Sequence, residues 1–554
     1  MIKATTQKEQ KRKWLYVPAL VSMAICFLFC LFAPMELLFA NEYEFNYNLY
    51  DLLQYMLPLM LLCWVCLTGA LALLHHFSRK GYLLALAVLF AVFAAAYIQG
   101  TFFAGNLPPM DGRKIIWSEY SVQRIASVVI WGGVFASVIM LAMKIGEERF
   151  KKLSACMSGL MILILAIAIS LTCITTGGYR DEKRIVHSAK DMMALSQEDN
   201  LVLFLMDAVD GEEFQKVCEV HPEYAEIFED FTSFTNVTSV YPYTSRSVPY
   251  ILSGEWFENK EDFGAYCNKA FTESPLIKEL KRRGYRIGLY DPEFFFVSEL
   301  DGMFENISSA KSFIYPDRFV KMQLMMAGYR YLPFDLKPIC LLTPENIYID
   351  TLKKGVLEDE EPYPVDNLQF QDLLERKEVE LSDKKCFRFL YIRGAHEPFI
   401  YPAQSDQLDD NSYDSSIELC VTIAAEYLRK LKEADVFDNT AILFLADHGY
   451  VEDDIPFGRQ NPFLLVKGIG EKHPFAVSDA PVTHEDLQTA YRRLLDGAQS
   501  KEAFDAREGD ERQRRFLFFE YEKEETMWEY YQTGHASDEE TMLPTGEVYI
   551  YREN

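Results

Sequence analysis

The chain has 554 residues, too many for one ordinary domain, with 14% aromatic residues and a net charge of −27. A mean hydropathy near zero at that charge points to two unlike parts, one apolar and one acidic and soluble. The acidity excludes long-range attraction to anionic lipid as a binding principle.

Five apolar runs come first: Trp14–Phe32, Leu52–Leu74, Tyr82–Phe103, Ile125–Met143 and Leu153–Thr175. Each is close to the roughly 20 residues that a bilayer-crossing helix needs. None holds an ionisable residue in its interior, which favours anchoring or lipid handling over an ion pathway. Lys3, Lys8, Lys11, Arg12 and Lys13 precede the first run, Arg79 and Lys80 follow the second, and Lys144, Arg149, Lys151 and Lys152 precede the fifth. The first intervening loop carries Glu42, Glu44 and Asp51 instead. The positive-inside rule then predicts a cytoplasmic N-terminus and, after five crossings, an extracytoplasmic remainder. The expected layout is a transmembrane domain over 1–176, a linker over 177–199 and an extracytoplasmic domain over 200–554, in a multi-pass protein of the cell membrane.

Beyond the linker the pattern alternates. Strands are expected at Leu201–Met206, Tyr285–Tyr290, Phe387–Ile392, Ala441–Leu445, Pro462–Val466, Phe516–Phe519 and Val548–Tyr551. Helices are expected at Gly211–Val220, Ser274–Arg283, Ser415–Ala434 and Asp486–Leu495. Strands separated by helices predict an α/β domain with a mostly parallel sheet and helices on both faces. Ligands bind such sheets at the carboxyl ends of the strands.

The stretch from Asn236 to Gly254 starts as a strand, turns at Pro242-Tyr243-Thr244 and continues from Ser245 as a short helix stopped by Gly254. Thr244 therefore stands at a helix N-terminus, where free N–H groups face an anion. Its hydroxyl is either a nucleophile toward a phosphate or sulfate ester or a plain N-cap. Asp207 directly follows one strand, Asp447 and His448 another, and His396 lies a few residues past a third. Singly, each reads as a turn or cap residue; their joint placement along one sheet edge makes a site. Asp207, Thr244, Asp447 and His448 form an oxygen-rich four-ligand set suited to one divalent ion, Zn or Mn. Such an ion would lower the pKa of the Thr244 hydroxyl.

The motif Leu445-Ala-Asp-His-Gly449, with Thr244 and Ser247-Val-Pro249, resembles the alkaline phosphatase superfamily in its sulfatase-like branch. Within that branch the chain is similar to membrane-anchored phosphoethanolamine transferases and lipoteichoic acid synthases. The similarity covers about Asn200 to Glu522, and a five-helix anchor also matches. The resemblance implies Thr244 as nucleophile, Asp207, Asp447 and His448 as metal ligands with it, and His396 and Arg246 on the substrate. It implies transfer of a phosphoethanolamine or phosphoglycerol head group from a membrane phospholipid, through a covalent phospho-threonine, to a cell-surface glycan, lipid or polymer. A phosphodiesterase or sulfatase-like hydrolase of the same fold is the alternative, and a non-catalytic membrane protein the second.

Two departures matter. Sulfatases carry Cys or Ser at the nucleophile, with Pro two and Arg four residues on; here these positions are Thr244, Arg246 and Val248, which counts against sulfate-ester hydrolysis by a formylglycine route. Several relatives also carry a further histidine after Asp-His-Gly, whereas Tyr450–Asn461 holds none and offers Glu452, Asp453 and Asp454. One metal is expected, with that acidic trio in a solvated loop. His484 reads as a cap-region residue. No Gly-rich nucleotide loop and no basic patch with interleaved aromatics occurs, so neither nucleotide nor nucleic acid is expected as a partner.

Overall fold

The computed structural model describes residues 15–551 except 42–44, 46, 106, 109, 111–114, 180–184, 295, 310–314, 343–360, 406, 451–456 and 521–524. The chain forms two compact units, Met1–Lys183 with Lys311–Lys353, and Arg184–Ala310 with Lys354–Asn554. This division differs from the sequence layout at two places. Residues 177–199 are not a free linker throughout: Ile185–His187 and Ala194–Ser196 are buried strands that pair with Ile307–Ser309 and Glu380–Ser382. Residues 315–342 leave the 200–554 block and belong with the apolar helices.

In the first unit, five helices among the described residues are long and apolar enough to cross a membrane: Tyr16–Ala40, Leu49–Phe77, Arg79–Phe102, Trp117–Ile145 and Glu147–Thr175. Each contains one of the five apolar runs or nearly all of it. The first extends past its run through Pro34, Met35 and Glu36, so a span that read as free of charge carries a carboxylate. Arg330 pairs with Glu36 at 3.0 Å and the Tyr331 hydroxyl donates to it at 2.7 Å. Both partners lie on the helix Pro316–Tyr331, which packs against the apolar helices of this unit. Gly100 makes room for it, since a Cβ there would sit 2.2 Å from the Tyr331 ring. The basic residues before the first span, together with Glu42 and Glu44, lie outside the described residues.

The second unit is built on a seven-stranded sheet. Its strands are β1 Asn200–Met206, β2 Thr232–Phe234, β3 Arg286–Tyr290, β4 Cys386–Ile392, β5 Thr440–Leu445, β6 Leu464–Lys467 and β7 Ala476–Ser478, in the order β7-β2-β6-β5-β1-β4-β3. Only β6 opposes its neighbours, so the sheet is mostly parallel as expected. The continuous apolar runs of β1 and β5 are buried at every residue, which is why they show no alternation in sequence, and β4 is buried throughout with Arg388 among its residues. On one face Phe204 meets Phe370, Tyr427 and Phe444 with centroids 5.4–5.6 Å apart. Leu203, Leu205, Leu443 and Leu445 are buried equally well. The expected strands near Phe516 and Val548 do not join this sheet. They form Arg514–Phe518 and Met542–Ile550, in a separate antiparallel sheet with Thr526–Gln532.

Candidate active site and metal centre

Strands β5, β1, β4 and β3 are parallel neighbours, so their carboxyl ends lie side by side. Asp447 and His448 follow β5, Asp207 follows β1, Arg393 and His396 follow β4, and Asp291 and Glu293 follow β3. The turn after β1 is tight. Ala208 adopts φ +56°, and its amide donates to Asp447 Oδ1 at 3.1 Å. A non-glycine residue in that region is strained, a feature that concentrates at functional sites. Gly394, at φ +63°, lies so close that a Cβ would be 2.2 Å from the Asp207 carbonyl oxygen. Gly449 is likewise obligatory, because its Cβ would meet Asp210 Oδ2 at 2.5 Å. Asp210 is the N-cap of the helix Gly211–Val220, accepting from Glu212 and Glu213. Of the two acids in Asp207-Ala-Val-Asp210, the second is thus structural.

Thr244 is not an N-cap. The N-cap position is Tyr243, and Thr244 is the first residue of the helix Thr244–Ser253, which ends at Gly254 with φ +73°. The Thr244 hydroxyl turns to the strand ends instead, 3.4 Å from Asp207 Oδ1 and 3.5 Å from His448 Nε2. His448 Nε2 is 3.5 Å from Asp447 Oδ2 and 3.7 Å from Asp207 Oδ1. One ligand atom from each of Asp207, Asp447 and His448 lies within 4.8 Å of the others, and all three residues are buried.

The protonation pattern fits a cation. Nδ1 of His448 is 2.7 Å from the Gly449 carbonyl, so Nδ1–H donates there and Nε2 presents a lone pair to the carboxylates. Asp447 Oδ2 is buried without a hydrogen-bond partner. Lone pairs thus face lone pairs, with only the Thr244 hydroxyl proton among them. Four atoms around a tetrahedral ion with bonds of about 2.1 Å lie about 3.4 Å apart, close to the spacings found here. Burial, with the Asp447 and Glu293 carboxylates, pushes the Asp207 carboxyl well above its ordinary range. Burial also opposes charge on Asp447, but His448 and hydrogen bonds from Thr244 and the Ala208 amide outweigh it and hold that carboxyl low. Burial pushes the His448 imidazole down, against the pull of Asp447 and with help from Arg459. Two buried carboxylates this close carry full charge together only beside a cation. The residues fit a single divalent ion held by Asp207, Asp447, His448 and Thr244.

Around these four, Tyr391 donates to Asp207 Oδ2 at 2.7 Å and also lies 3.1 Å from Glu293 Oε1. Arg459 stacks over the Tyr243 ring at 4.9 Å, and its carbonyl accepts from the Gly449 amide. His396 lies within electrostatic reach of His448; burial, Arg393 and His448 push its pKa down to about 4. Its Nδ1 is 2.7 Å from the Glu397 carbonyl, which leaves Nε2 unprotonated. Arg246 is not in the cluster. Its buried guanidinium lies 3.7 Å from the Phe263 ring and 5.5 Å from Phe519. His484 is a buried residue within electrostatic reach of Asp447 and His448, and the cap beside it is Thr483. Glu452, Asp453 and Asp454 lie outside the described residues. Sequence reasoning missed Tyr391, Asp291 and Glu293. Asp291 was findable, since it follows β3 as directly as Asp207 follows β1; Tyr391 reads only as one more buried strand residue.

A model of the sulfatase family matches residues 199–497, more than half of the chain, and the chain belongs to that family. No curated protein sequence matches it. Among solved structures, it is similar to the lipooligosaccharide phosphoethanolamine transferase A of Neisseria meningitidis at 11% identity, over 90% of this chain and 99% of that one, with a TM-score of 0.33. A protein of the alkaline phosphatase superfamily from Vibrio parahaemolyticus shares 14% identity over 66% and 81% of the two chains, with a TM-score of 0.35. A phosphonate monoester hydrolase from Silicibacter pomeroyi shares 13% over 63% and 88%, also with a TM-score of 0.35.

Proposed function

We propose that this chain is a membrane-anchored, metal-dependent enzyme that transfers a phospholipid head group to an acceptor hydroxyl through Thr244. The observation that carries this reading is the Thr244 hydroxyl at a helix N-terminus, 3.4 Å from Asp207 and 3.5 Å from His448, beside Asp447. Asp207, Asp447, His448 and Thr244 hold the ion, which when bound lowers the pKa of the Thr244 hydroxyl and offsets charge on the phosphoryl oxygens.

Thr244 Oγ1 attacks the phosphorus of the donor head group. The new O–P bond forms as the bond to the diacylglycerol oxygen breaks, and that oxygen leaves as diacylglycerol, taking up the proton that the Thr244 hydroxyl gives up. The head group is then a phosphodiester on Thr244, its oxygens facing the free N–H groups of the helix start. An acceptor hydroxyl on a cell-surface glycan, lipid or polymer attacks next, releasing Thr244. His396 is neutral with Nε2 unprotonated, so this nitrogen can accept a hydrogen bond from the acceptor hydroxyl and orient it, while the acceptor's proton ends on the departing Thr244 oxygen. Five apolar helices keep the enzyme in the same bilayer as its donor, and the positive-inside rule puts the catalytic unit on the extracytoplasmic side.

The test is release of diacylglycerol from labelled phospholipid vesicles by the purified full-length chain, with and without added acceptor. Release that brings label onto the acceptor supports transfer. Release with free head group only, whatever acceptor is supplied, would mean a hydrolase. No release by metal-loaded protein would remove the enzymatic reading.

A further inference from the structure

Resting on the head-group-transfer reading, we infer that Arg459 is a further substrate-binding residue: its guanidinium, held between Tyr243 and Tyr450, takes a non-bridging oxygen of the phosphodiester that reacts at Thr244. The guanidinium lies 4.9 Å from the centre of the Tyr243 ring and 5.8 Å from that of Tyr450. Tyr243 directly precedes Thr244, Tyr450 stands two residues past His448, and the Tyr243 and His448 rings are 6.4 Å apart. The positive charge is therefore fixed beside the nucleophile and the candidate metal ligands, and it is felt at both His448 and His396.

What sets Arg459 apart is its lack of a partner. Arginines with a structural role in this unit spend their N–H groups on neighbours. Arg514 donates to the Asn236 side chain and carbonyl and to the Gly534 carbonyl, Arg507 to the carbonyls of Phe504 and Ala506, and Arg512 to the Asp486 carboxylate. The half-buried Arg459 side chain donates to no carbonyl and pairs with no carboxylate among the described residues. A guanidinium presents its donors in a planar fork and keeps its proton, so these donors are left for water or an incoming anion.

The side chain is also braced. The Arg459 carbonyl accepts from the Gly449 amide at 2.9 Å and from the Ser239 hydroxyl at 3.3 Å, which ties its backbone to the turn that carries Asp447 and His448. Tyr450 stacks on Tyr413 at 4.7 Å and donates to Glu397 Oε1 at 2.7 Å, while Tyr243 packs against Phe519 at 5.1 Å. Rings supported in this way hold a planar cation in place before the substrate arrives. Phosphoryl oxygens match a guanidinium in both charge and geometry, and they carry the negative charge while the group is transferred.

The test is titration calorimetry of inorganic phosphate, as the probe, into the metal-loaded full-length chain. Wild type should bind phosphate, and Arg459→Gln should bind it about 10–100-fold more weakly, the range set by losing a hydrogen bond to a charged group. Bound metal per chain should stay unchanged. Arg459→Lys returns the charge without the fork and should recover part of the affinity. On vesicles, kcat/KM for diacylglycerol release should fall in the same order. Unchanged phosphate affinity in Arg459→Gln would overturn the proposal, as would absence of phosphate binding by the metal-loaded wild type. Loss of metal along with phosphate in Arg459→Gln would also overturn it, by making the residue a support for the metal turn. Phosphate binding is read without turnover, so failure of the transfer reading appears separately, as absent diacylglycerol release by a chain that still binds phosphate through Arg459.

Discussion

Gly394 packs its backbone directly onto that of Asp207: the Ala395 amide donates to the Asp207 carbonyl at 2.9 Å, and a Cβ on Gly394 would fall 2.2 Å from that same oxygen. The position of the candidate metal ligand after β1 is therefore set by the turn after β4. Gly394→Ala costs about 1–2 kcal/mol from its left-handed φ alone, and the Cβ clash forces the two strand ends apart. The variant should fold with a lowered Tm and lose most of its bound metal, as measured by calorimetry and elemental analysis. Wild-type metal content in Gly394→Ala would contradict this coupling.

Removing the metal should destabilise the catalytic unit, because it leaves two buried carboxylates facing each other. Chelation is expected to lower Tm and abolish diacylglycerol release, and Zn or Mn should restore both. Asp447→Asn should make Tm insensitive to chelator. An unchanged Tm on chelating the wild-type protein would argue against the metal centre.

Tyr391 acts through Asp207. Its hydroxyl fixes one carboxylate oxygen so that the other faces Thr244. Tyr391→Phe should weaken metal affinity about 10–100-fold, the usual cost of losing an outer partner of a ligand. Competitive chelator titration measures this directly. If saturating metal returns kcat to near wild type, the residue positions and does not react.

These dependencies also explain what the sequence could and could not reveal. The ends of β1 and β5 were legible because an unbroken apolar run stops at Asp207 and at Asp447-His448, and such runs have little choice but to be buried strands. Thr244 was placed correctly at a helix start, but its role as cap or nucleophile turned on where a hydroxyl points, which is a tertiary fact. Tyr391 was invisible because a buried strand tyrosine looks the same whether its hydroxyl meets a backbone carbonyl or a carboxylate. The helix Pro316–Tyr331 was missed for the opposite reason: its Asp, Arg and Lys residues read as part of the soluble block, while Phe319, Met322 and Met326 are buried against the apolar helices.

Lys467 gives a pH dependence remote from the site. Its amine is buried and donates to the carbonyls of Phe437, Thr440 and Gly468 at 3.1–3.2 Å, and burial pushes its pKa from 10.5 down to about 8. Between these values the unfolded chain binds the extra proton, so stability rises with pH from about 8 to 10.5 and the stabilisation is absent below 8. Lys467→Met should flatten that rise in Tm. An identical pH slope in wild type and variant would count against the assignment.

The central claim, that Thr244 carries the transferred group, is tested most directly by tandem mass spectrometry of the Thr244 peptide from metal-loaded protein, acid-quenched during turnover of phosphatidylethanolamine. The account predicts a phosphoethanolamine adduct on Thr244, absent in Thr244→Ala, which should also release no diacylglycerol. An unmodified Thr244 in a protein that is turning over, with release retained in Thr244→Ala, would contradict it.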